Sequence, residues 1–215
     1  MPDPVQRFLG LLASAMTLPL VAALALAVRL DSPGPALYTA RRVGLGGREF
    51  ACRKLRTMRP ASDRAGALTV AGDSRVTRLG RILRRFRLDE LPQLWNVAVG
   101  EMRLVGPRPE DPRFVDLARP LHRLVFTSRP GLTGLAQLVF ADEESRLGRG
   151  DPETVYREEI LPAKLEIDAL YLRRRSTRLD LWILAQTPLA VLGRPIRLPE
   201  PIGRELAALA GPTRG

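Results

Sequence analysis

The residues best suited to chemistry are two adjacent acids, Asp89 and Glu90, and a set of basic residues around them. Acids at the start of a predicted helix also stabilise its cap and dipole, so the pair alone does not define a site. Arg108 stands between two prolines on a stiff loop, which suits a phosphate better than a protein core. Lys54 and Arg56 lie at the end of a predicted strand. Carboxylates, a metal ion and basic groups are what phosphoryl transfer needs, and a carboxylate can itself be the nucleophile that forms an acyl phosphate.

The composition excludes several classes of site. The chain has 215 residues and a formal net charge of +11, and its 34 basic residues are 32 arginines and 2 lysines. One cysteine, Cys52, and one histidine, His122, exclude an intrachain disulfide and a zinc site built from several such ligands. We expect Cys52 to pack inside a strand and His122 to be a surface or hydrogen-bonded helix residue. The basic balance points to nucleic acid, an anionic membrane or phosphorylated substrates, although a general preference for arginine explains the excess equally well.

An uncharged, apolar run of 21 residues, 8–28, lies near the N-terminus. As a straight helix it would reach about 30 Å, the thickness of a bilayer core. Pro19 removes a helix hydrogen bond, and Ser14 and Thr17 are placed to bond the freed backbone groups. Arginines at both ends give a straight span no clear orientation. The run alone leaves three interpretations open: a cleaved signal peptide, a straight transmembrane helix, or a re-entrant helix that returns to the side it entered.

The remaining sequence predicts a hairpin followed by helices. Two strands, residues 36–42 and 48–55, flank a glycine-rich turn. Proline and glycine predict loops at residues 100–112 and 129–134, and residues 59–72 are expected to be a mobile loop. Helices are predicted at residues 74–87, 91–99 and 113–126, and another from residue 151 to about 175 is expected to be interrupted at Pro162. Residues 179–192 are strongly apolar and contain Pro188. From Gly193 onward we expect a poorly packed tail.

The predicted helix at residues 74–87 has an apolar stripe and a basic face. The stripe comprises Leu79, Ile82, Leu83 and Phe86, and arginines occupy much of the remaining surface. Two interpretations are open. The helix is either a solvated basic face over a core stripe, or an amphipathic helix that lies on an anionic membrane or faces phosphates.

Six segments in a fixed order resemble the motifs of one protein family. They are Asp31-Ser32-Pro33-Gly34-Pro35, Arg42-Val43-Gly44, Arg53-Lys54-Leu55-Arg56-Thr57-Met58, Leu88-Asp89-Glu90-Leu91-Pro92-Gln93-Leu94-Trp95-Asn96-Val97, Leu104-Val105-Gly106-Pro107-Arg108-Pro109 and Arg129-Pro130-Gly131-Leu132-Thr133-Gly134-Leu135-Ala136-Gln137. Over residues 5–192 the chain thereby resembles the bacterial sugar transferases, the monotopic polyprenyl-phosphate phosphoglycosyl transferases. Asp168, Tyr171, Ser176 and Asp180 match the C-terminal pattern of that family.

The resemblance implies an activity and a mechanism. Such enzymes move a phosphosugar from a UDP-sugar to undecaprenyl phosphate and release UMP, which is the first membrane step of glycoconjugate or exopolysaccharide assembly. Asp89 would be the nucleophile that forms a covalent phosphosugar-enzyme. Glu90 would either orient Asp89 or, together with Asp89, hold Mg²⁺, with Mn²⁺ as the alternative ion. From the residues themselves we expect Asp89 to be kept ionised by the helix dipole and by Arg87.

The substrate-binding residues expected from the basic set and the motifs are Lys54, Arg56, Arg108, Arg129 and Asp168. The expected partners are the UDP-sugar, undecaprenyl phosphate and anionic membrane lipid, with a homodimer left open and no nucleic acid.

The expected fold class is α+β. A re-entrant membrane helix broken at Pro19 would occupy residues 1–30, and residues 31–192 would form the catalytic domain. Amphipathic interface helices and a small β-hairpin would surround an active site on the cytoplasmic face, and residues 193–215 would be a tail containing proline and glycine. The resemblance places such a protein in the bacterial inner (cytoplasmic) membrane, and the chain looks like the minimal catalytic form.

Some positions depart from the family pattern, and two other function classes stay open. Leu18 and Arg87 stand where many members have serine, and Arg103 also departs from the usual residue. A membrane-bound scaffold with an inactive site would bind membranes but give a flat activity assay. A nucleic-acid-binding protein, suggested by charge alone, would show steeply salt-dependent affinity for DNA.

Overall fold

The computed structural model describes residues 1–59, 68–141, 143–148 and 150–209. Most of the predicted loop at 59–72 lies outside these ranges. The helices are α1 (Asp3–Asp31), α2 (Arg78–Arg85), α3 (Gln93–Val99), α4 (Pro120–Val125), α5 (Leu135–Val139), α6 (Glu143–Leu147), α7 (Pro152–Val155), α8 (Leu161–Arg174), α9 (Thr177–Val191) and α10 (Glu200–Leu209). The strands are β1 (Leu37–Val43), β2 (Glu49–Leu55), β3 (Arg103–Val105) and β4 (Gly131–Thr133).

The apolar N-terminal run forms a single helix, α1, which contains Pro19. In the described part of the chain it is the one helix long and apolar enough to cross a membrane. The hydroxyl of Thr17 donates to the carbonyl of Ala13 at 2.7 Å, and the hydroxyl of Ser14 has no partner among the described residues. Neither hydroxyl therefore bonds the Ala15 carbonyl that Pro19 leaves without its helical donor.

Both ends of α1 pack against the rest of the described chain, here called the body, while the middle of the helix is exposed. Near the start, the side-chain oxygen of Gln6 accepts from the amide of Leu104 at 2.9 Å. Near the end, Val28 is buried against Leu55 and Leu83. Between these contacts the large apolar side chains of residues 11–20 are exposed, including Leu11, Leu12, Met16, Leu18 and Leu20.

The predicted hairpin is confirmed. β1 and β2 pair antiparallel from Leu37 opposite Leu55 to Val43 opposite Glu49. The turn between them needs the left-handed backbone of Gly46, whose φ is 65°. The hairpin joins α3 through Asn96, whose amide group donates to the carbonyl of Ala51 at 2.8 Å.

Two segments predicted as loops instead contain a short parallel strand pair. β3 pairs with β4, with Arg103 opposite Gly131 and Val105 opposite Thr133. Three-residue strands carry too little periodicity to be recognised from sequence, and their pairing partners are distant in the chain.

Several predicted helices are shorter than expected. α2 begins at Arg78, because the hydroxyl of Thr77 accepts from the amide of Gly80 at 2.9 Å and caps the helix there. The predicted helix at 113–126 is divided into a 3-10 turn, Pro112–Phe114, and α4, which begins at Pro120. Proline favours the first turn of a helix and is unfavourable within it.

The C-terminal helices complete the core. Tyr171 on α8 is fully buried, and its hydroxyl donates to Asp180 on α9 at 2.6 Å. The prediction of a poorly packed tail from Gly193 is wrong for residues 200–209, which form α10. Ile202 on α10 is buried in the main hydrophobic core.

Candidate active site

Asp89 and Glu90 lie on a 3-10 turn, Leu88–Glu90, between α2 and α3. Arg87, just before it, has a left-handed backbone (φ 55°) and is the one non-glycine residue with positive φ among those described. Such a backbone is strained for a side chain of this size and reverses the chain sharply after α2. The turn carries both acids inward, and Asp89 is only 5% exposed.

Glu90 is fixed by arginine. A guanidinium nitrogen of Arg108 lies 2.7 Å from Oε1 of Glu90, and a nitrogen of Arg87 lies 3.8 Å from the same oxygen. Burial by itself would raise the pKa of Glu90. The charges of Arg108 and Arg87 more than offset burial, and the pKa falls to about 2. Glu90 is therefore a permanent anion that holds Arg108 in place.

Asp89 has the opposite environment. Its Oδ1 is buried and has no hydrogen-bond partner among the described residues. Burial, followed by the charge of Glu90, raises the pKa of Asp89 above its usual value, although Lys54, Arg84 and Arg87 act to lower it. Burial and Glu90 therefore act against the expected ionisation of this carboxyl, while Arg87 acts in the expected direction. The acids stand on a three-residue turn, and α3 begins only at Gln93.

Cations surround Asp89 from β2 and α2. Lys54 is half-buried at the end of β2, and its Nζ lies 5.6 Å from the centre of the Tyr38 ring. Burial and then the charge of Arg42 lower the pKa of Lys54, while Asp89 raises it. Nε of Arg84 donates to the hydroxyl of Thr57 at 2.9 Å, which holds this arginine against the end of the hairpin.

Glycines allow the arginine loop to reach the acids. The backbone at Gly106 passes directly over β4, and Gly131 and Gly134 leave room for it. A Cβ on Gly131 would lie 2.1 Å from the nitrogen of Gly106, and a Cβ on Gly134 would lie 2.1 Å from its oxygen. The motif of Gly106 and the motif of Gly131 and Gly134 are far apart in sequence, but their backbones meet at this one point, here called the backbone crossing. This crossing directs the following Pro107-Arg108-Pro109 segment toward Glu90.

A buried polar network supports the arginine loop from behind. The hydroxyl of Tyr156 donates to Glu110 at 2.6 Å, and Nζ of Lys164 lies 3.1 Å from that hydroxyl. The same nitrogen lies 3.0 Å from Oε2 of Glu143. Sequence reasoning missed this network, although one signal was present. Lys164 is the other of only two lysines in an arginine-rich chain.

Asp168, a predicted substrate ligand, faces this network. Burial raises its pKa to about 7, against the lowering effects of Lys164 and of the backbone amides of Ala136 and Arg108. Its Oδ1 is buried without a partner among the described residues. The structure therefore places Asp168 behind the loop of Arg108.

Two other predicted ligands are engaged elsewhere. Arg56 is buried and donates to the carbonyl of Pro35 at 2.6 Å and to the hydroxyl and carbonyl of Ser32 at 2.7 and 2.8 Å. These bonds fix the turn after α1 and leave Arg56 facing protein backbone. Arg129 forms an ion pair with Asp3 at the start of α1. Of the predicted set, Asp89, Glu90, Lys54 and Arg108 form one cluster.

The cluster fits a hard divalent cation that is shared with a substrate. Mg²⁺ takes one or two carboxylate oxygens and fills its other positions with water and phosphate oxygens. The unpartnered Oδ1 of Asp89 is such an oxygen, whereas Glu90 is engaged by arginine. The described residues contain no group of three or more His, Cys, Asp and Glu side chains that could hold a metal by themselves.

An exposed apolar face adjoins the cluster on α2 and α3. Ile82 on α2 is 54% exposed and Phe86, the residue after α2, is 42% exposed, and Trp95 and Val99 on α3 are exposed to a similar degree. Leu83 alone of the predicted stripe on α2 is fully buried. The interpretation of that stripe as purely core is therefore wrong, and half of it faces outward together with the arginines.

An acid pair among cations, beside a helix apolar enough to enter a bilayer, is the arrangement expected of a protein that handles phosphorylated substrates at a membrane. The particular family is given by comparison with known proteins. The model of the bacterial sugar transferase family matches residues 3–194, and the chain belongs to that family.

Three relatives show the range of the similarity. A UDP-glucose:undecaprenyl-phosphate glucose-1-phosphate transferase of Caulobacter vibrioides is 45% identical over 180 residues, which cover 82% of this chain and 64% of the relative. A UDP-N-acetylgalactosamine-undecaprenyl-phosphate N-acetylgalactosaminephosphotransferase of Aeromonas hydrophila is 36% identical over 89% of this chain and 45% of its own length. An exopolysaccharide production protein of Rhizobium leguminosarum bv. phaseoli is 35% identical over 87% of this chain and 92% of its own length. The chain thus spans less than two thirds of the first two relatives.

Proposed function

We propose that this protein transfers a phosphosugar from a UDP-sugar to undecaprenyl phosphate, releasing UMP and forming an undecaprenyl-diphosphate-sugar. The observation that carries the proposal is that the two acids have different surroundings. Glu90 is bonded to Arg108, while Asp89 keeps a buried oxygen without a partner. The names of the Caulobacter and Aeromonas relatives share undecaprenyl phosphate and a UDP-sugar but differ in the sugar. Such a transfer is a first membrane step in assembling an exopolysaccharide or another glycoconjugate.

The proposed chemistry has two displacements at one phosphorus. A carboxylate oxygen of Asp89 attacks the phosphorus that bears the sugar, and the bond from that phosphorus to the bridging oxygen of the diphosphate breaks. UMP leaves with the bridging oxygen, and the sugar phosphate stays on Asp89 as an acyl phosphate. An oxygen of undecaprenyl phosphate then attacks the same phosphorus, and the Asp89 carboxylate is released.

The surrounding cations have separate tasks. Arg108 is held at one end by Glu90, and its remaining N–H groups are available to a phosphate. Lys54 and Arg84 lie close enough to Asp89 to favour its ionised form, which is the nucleophilic form. The unpartnered oxygen of Asp89, together with Glu90, whose Oε1 is the oxygen paired with Arg108, would hold Mg²⁺, or Mn²⁺ in its place, and the ion would neutralise charge on the diphosphate.

The contacts of α1 support a re-entrant position in the inner membrane, with the body on the cytoplasmic side. A helix that crossed the bilayer would separate its ends by about 30 Å of hydrocarbon, and only one end could meet a body on one side. Here Gln6 and Val28 both contact that body. We propose that the exposed apolar middle enters one leaflet. The apolar face and arginines of α2 would rest on anionic lipid.

The test of the mechanism is intact-mass analysis of protein incubated with a panel of UDP-sugars in the absence of lipid. Wild-type protein should gain the mass of one phosphosugar, labile to hydroxylamine, and should release UMP. Asp89→Asn should gain none, because an amide is a poor nucleophile. Asp116→Asn, the same change at an exposed carboxyl, should label like wild type. Labelling of Asp89→Asn at the wild-type rate would refute the covalent mechanism, and full turnover in EDTA would refute the role of the metal.

The test of the membrane position is labelling of single cysteines in intact cells. Val5 and Glu200 are exposed, and the native Cys52 is buried and protected. Val5→Cys and Glu200→Cys should react with an impermeant maleimide only after the membrane is permeabilised. Reaction of Val5→Cys from outside would show that α1 crosses the bilayer.

A further inference from the structure

A second basic cavity lies away from the acid pair. It has a volume of about 520 Å³ and is formed by the start of α1, the first residue of β3, the segment before β4 and the end of α8. Four arginines, Arg103, Arg129, Arg173 and Arg175, line it together with one acid, Asp3. None of the residues that line this cavity belongs to the cluster of Asp89, Glu90, Lys54 and Arg108.

Two of these arginines are held in place before any ligand arrives. Oδ1 of Asp3 pairs with Arg103, and Oδ2 pairs with Arg129. Arg103 also donates to the carbonyl of Met1 at 2.6 Å. One carboxylate thus aligns two guanidinium groups and leaves half of their combined positive charge uncompensated. Such preorganisation lowers the entropy lost when a ligand binds.

One buried donor at this cavity is unmatched. The side chain of Arg103 is only 9% exposed, yet its Nε–H has no acceptor within the described part of the chain. Buried donors of this kind are normally satisfied, so an unmatched one indicates a missing acceptor. Arg173 and Arg175, from the end of α8, also line the cavity and form no ion pair with any carboxylate in the described ranges. The positive charge of the cavity and its unmatched donor both indicate that its ligand is an anion.

We propose that this cavity binds the phosphate group of a phosphate ester. Guanidinium groups match phosphate oxygens with paired N–H bonds, and several of them converge here. The volume lies within the range of small-molecule sites, so it accommodates more than a bare phosphate. Leucines at the wall, Leu45, Leu124 and Leu172, would contact the remainder of the ester. This site is separate from the transfer reaction proposed above and does not depend on it.

The experiment measures stabilisation of the purified full chain in neutral detergent at constant ionic strength. The probes are inorganic phosphate and short-chain phosphatidylglycerol, each against matched sodium chloride, with short-chain phosphatidylcholine as the lipid control. The double variant Arg173→Gln/Arg175→Gln removes half of the arginines from the cavity. The control Arg194→Gln/Arg197→Gln removes the same charge from exposed positions. The apparent Kd of each probe is taken from the shift in Tm.

We expect the cavity variant to bind the effective probe about tenfold more weakly or worse, because charge-assisted bonds are lost, and the control to remain near wild type. Each single substitution should give a smaller loss, which keeps the test valid if the double variant is unstable. Binding of phosphatidylglycerol alone would identify a lipid headgroup, and binding of inorganic phosphate as well would identify a soluble ester. Absence of stabilisation in wild type, or equal losses in the cavity variant and the control, would overturn the proposal.

Discussion

The substitution Asp168→Asn should change how the stability of the protein depends on pH. Burial raises the pKa of this carboxyl from its ordinary value of 3.8 to about 7. In the unfolded chain the group loses its proton near the ordinary value. Between these two values the folded state therefore binds one more proton than the unfolded state. Stability falls as pH rises through that interval and levels off above the folded pKa.

The magnitude follows from the width of the interval. Each pH unit in which only the folded state is protonated costs about 1.4 kcal/mol. Between pH 5.5 and pH 8.5 the wild type should therefore lose about 2 kcal/mol of stability, most of it by pH 7. Asparagine has the same shape, accepts from the same backbone amides and does not titrate. Asp168→Asn should accordingly become more stable relative to wild type by that amount across the range.

The assay is urea unfolding in detergent, followed by tryptophan fluorescence at several pH values. The quantity to compare is the difference in the free energy of unfolding between variant and wild type, so that contributions from other groups cancel. Glu159→Gln, at an exposed position on the π-helical turn before α8, serves as a control and should give a difference independent of pH. A flat difference for Asp168→Asn would show that the buried carboxyl is ionised in the fold. A difference of opposite sign would show that Lys164 outweighs burial.

The other predictions concern residues whose contacts are fixed by geometry. Gly131→Ala should destabilise the protein by about 3 kcal/mol or more, because its Cβ would lie 2.1 Å from the nitrogen of Gly106, whereas Gly203→Ala should be neutral; urea midpoints decide this. Asn96→Leu should cost about 2 to 4 kcal/mol in the same assay, because backbone groups of the hairpin lose their partners, and a loss below about 1 kcal/mol would contradict it. Arg56→Gln should lower the unfolding midpoint and leave the KM for UDP-sugar unchanged; a raised KM at normal stability would restore its role as a ligand.

Local signals in the sequence predicted the local parts of the fold. The hairpin was predictable because strand-like residues flank glycines that permit the turn. The start of α7 was predictable because the side chain of Asp151 caps it and Pro152 opens it. The pairing of β3 with β4 was not, since each strand is three residues long and the partners are far apart. The backbone crossing at Gly106 depends on this pairing, so it was equally hidden.

The acids and Arg108 were predictable as a group because their residue types and motifs point to phosphate chemistry. The direction of the pKa shift of Asp89 was not, because burial by distant elements raises this pKa, whereas a position near a helix start would lower it. Sequence alone also cannot tell an arginine that faces a substrate from one that faces backbone carbonyls. Arg56 is of the second kind, and Arg129 faces an acid on α1.

If α1 enters the bilayer as proposed above, its double attachment would link insertion into lipid to completion of the fold. Gln6 satisfies a backbone amide of β3, and Val28 closes a small core with Leu55 and Leu83. If α1 remained outside the bilayer, its apolar middle would be exposed to water. If it inserted before the body formed, these partners would be left unmatched. On the proposed re-entrant position, insertion and folding would therefore favour each other, and the native state would form where lipid and the rest of the chain are both present. The same contacts would then fix the distance of the acid pair from the membrane surface.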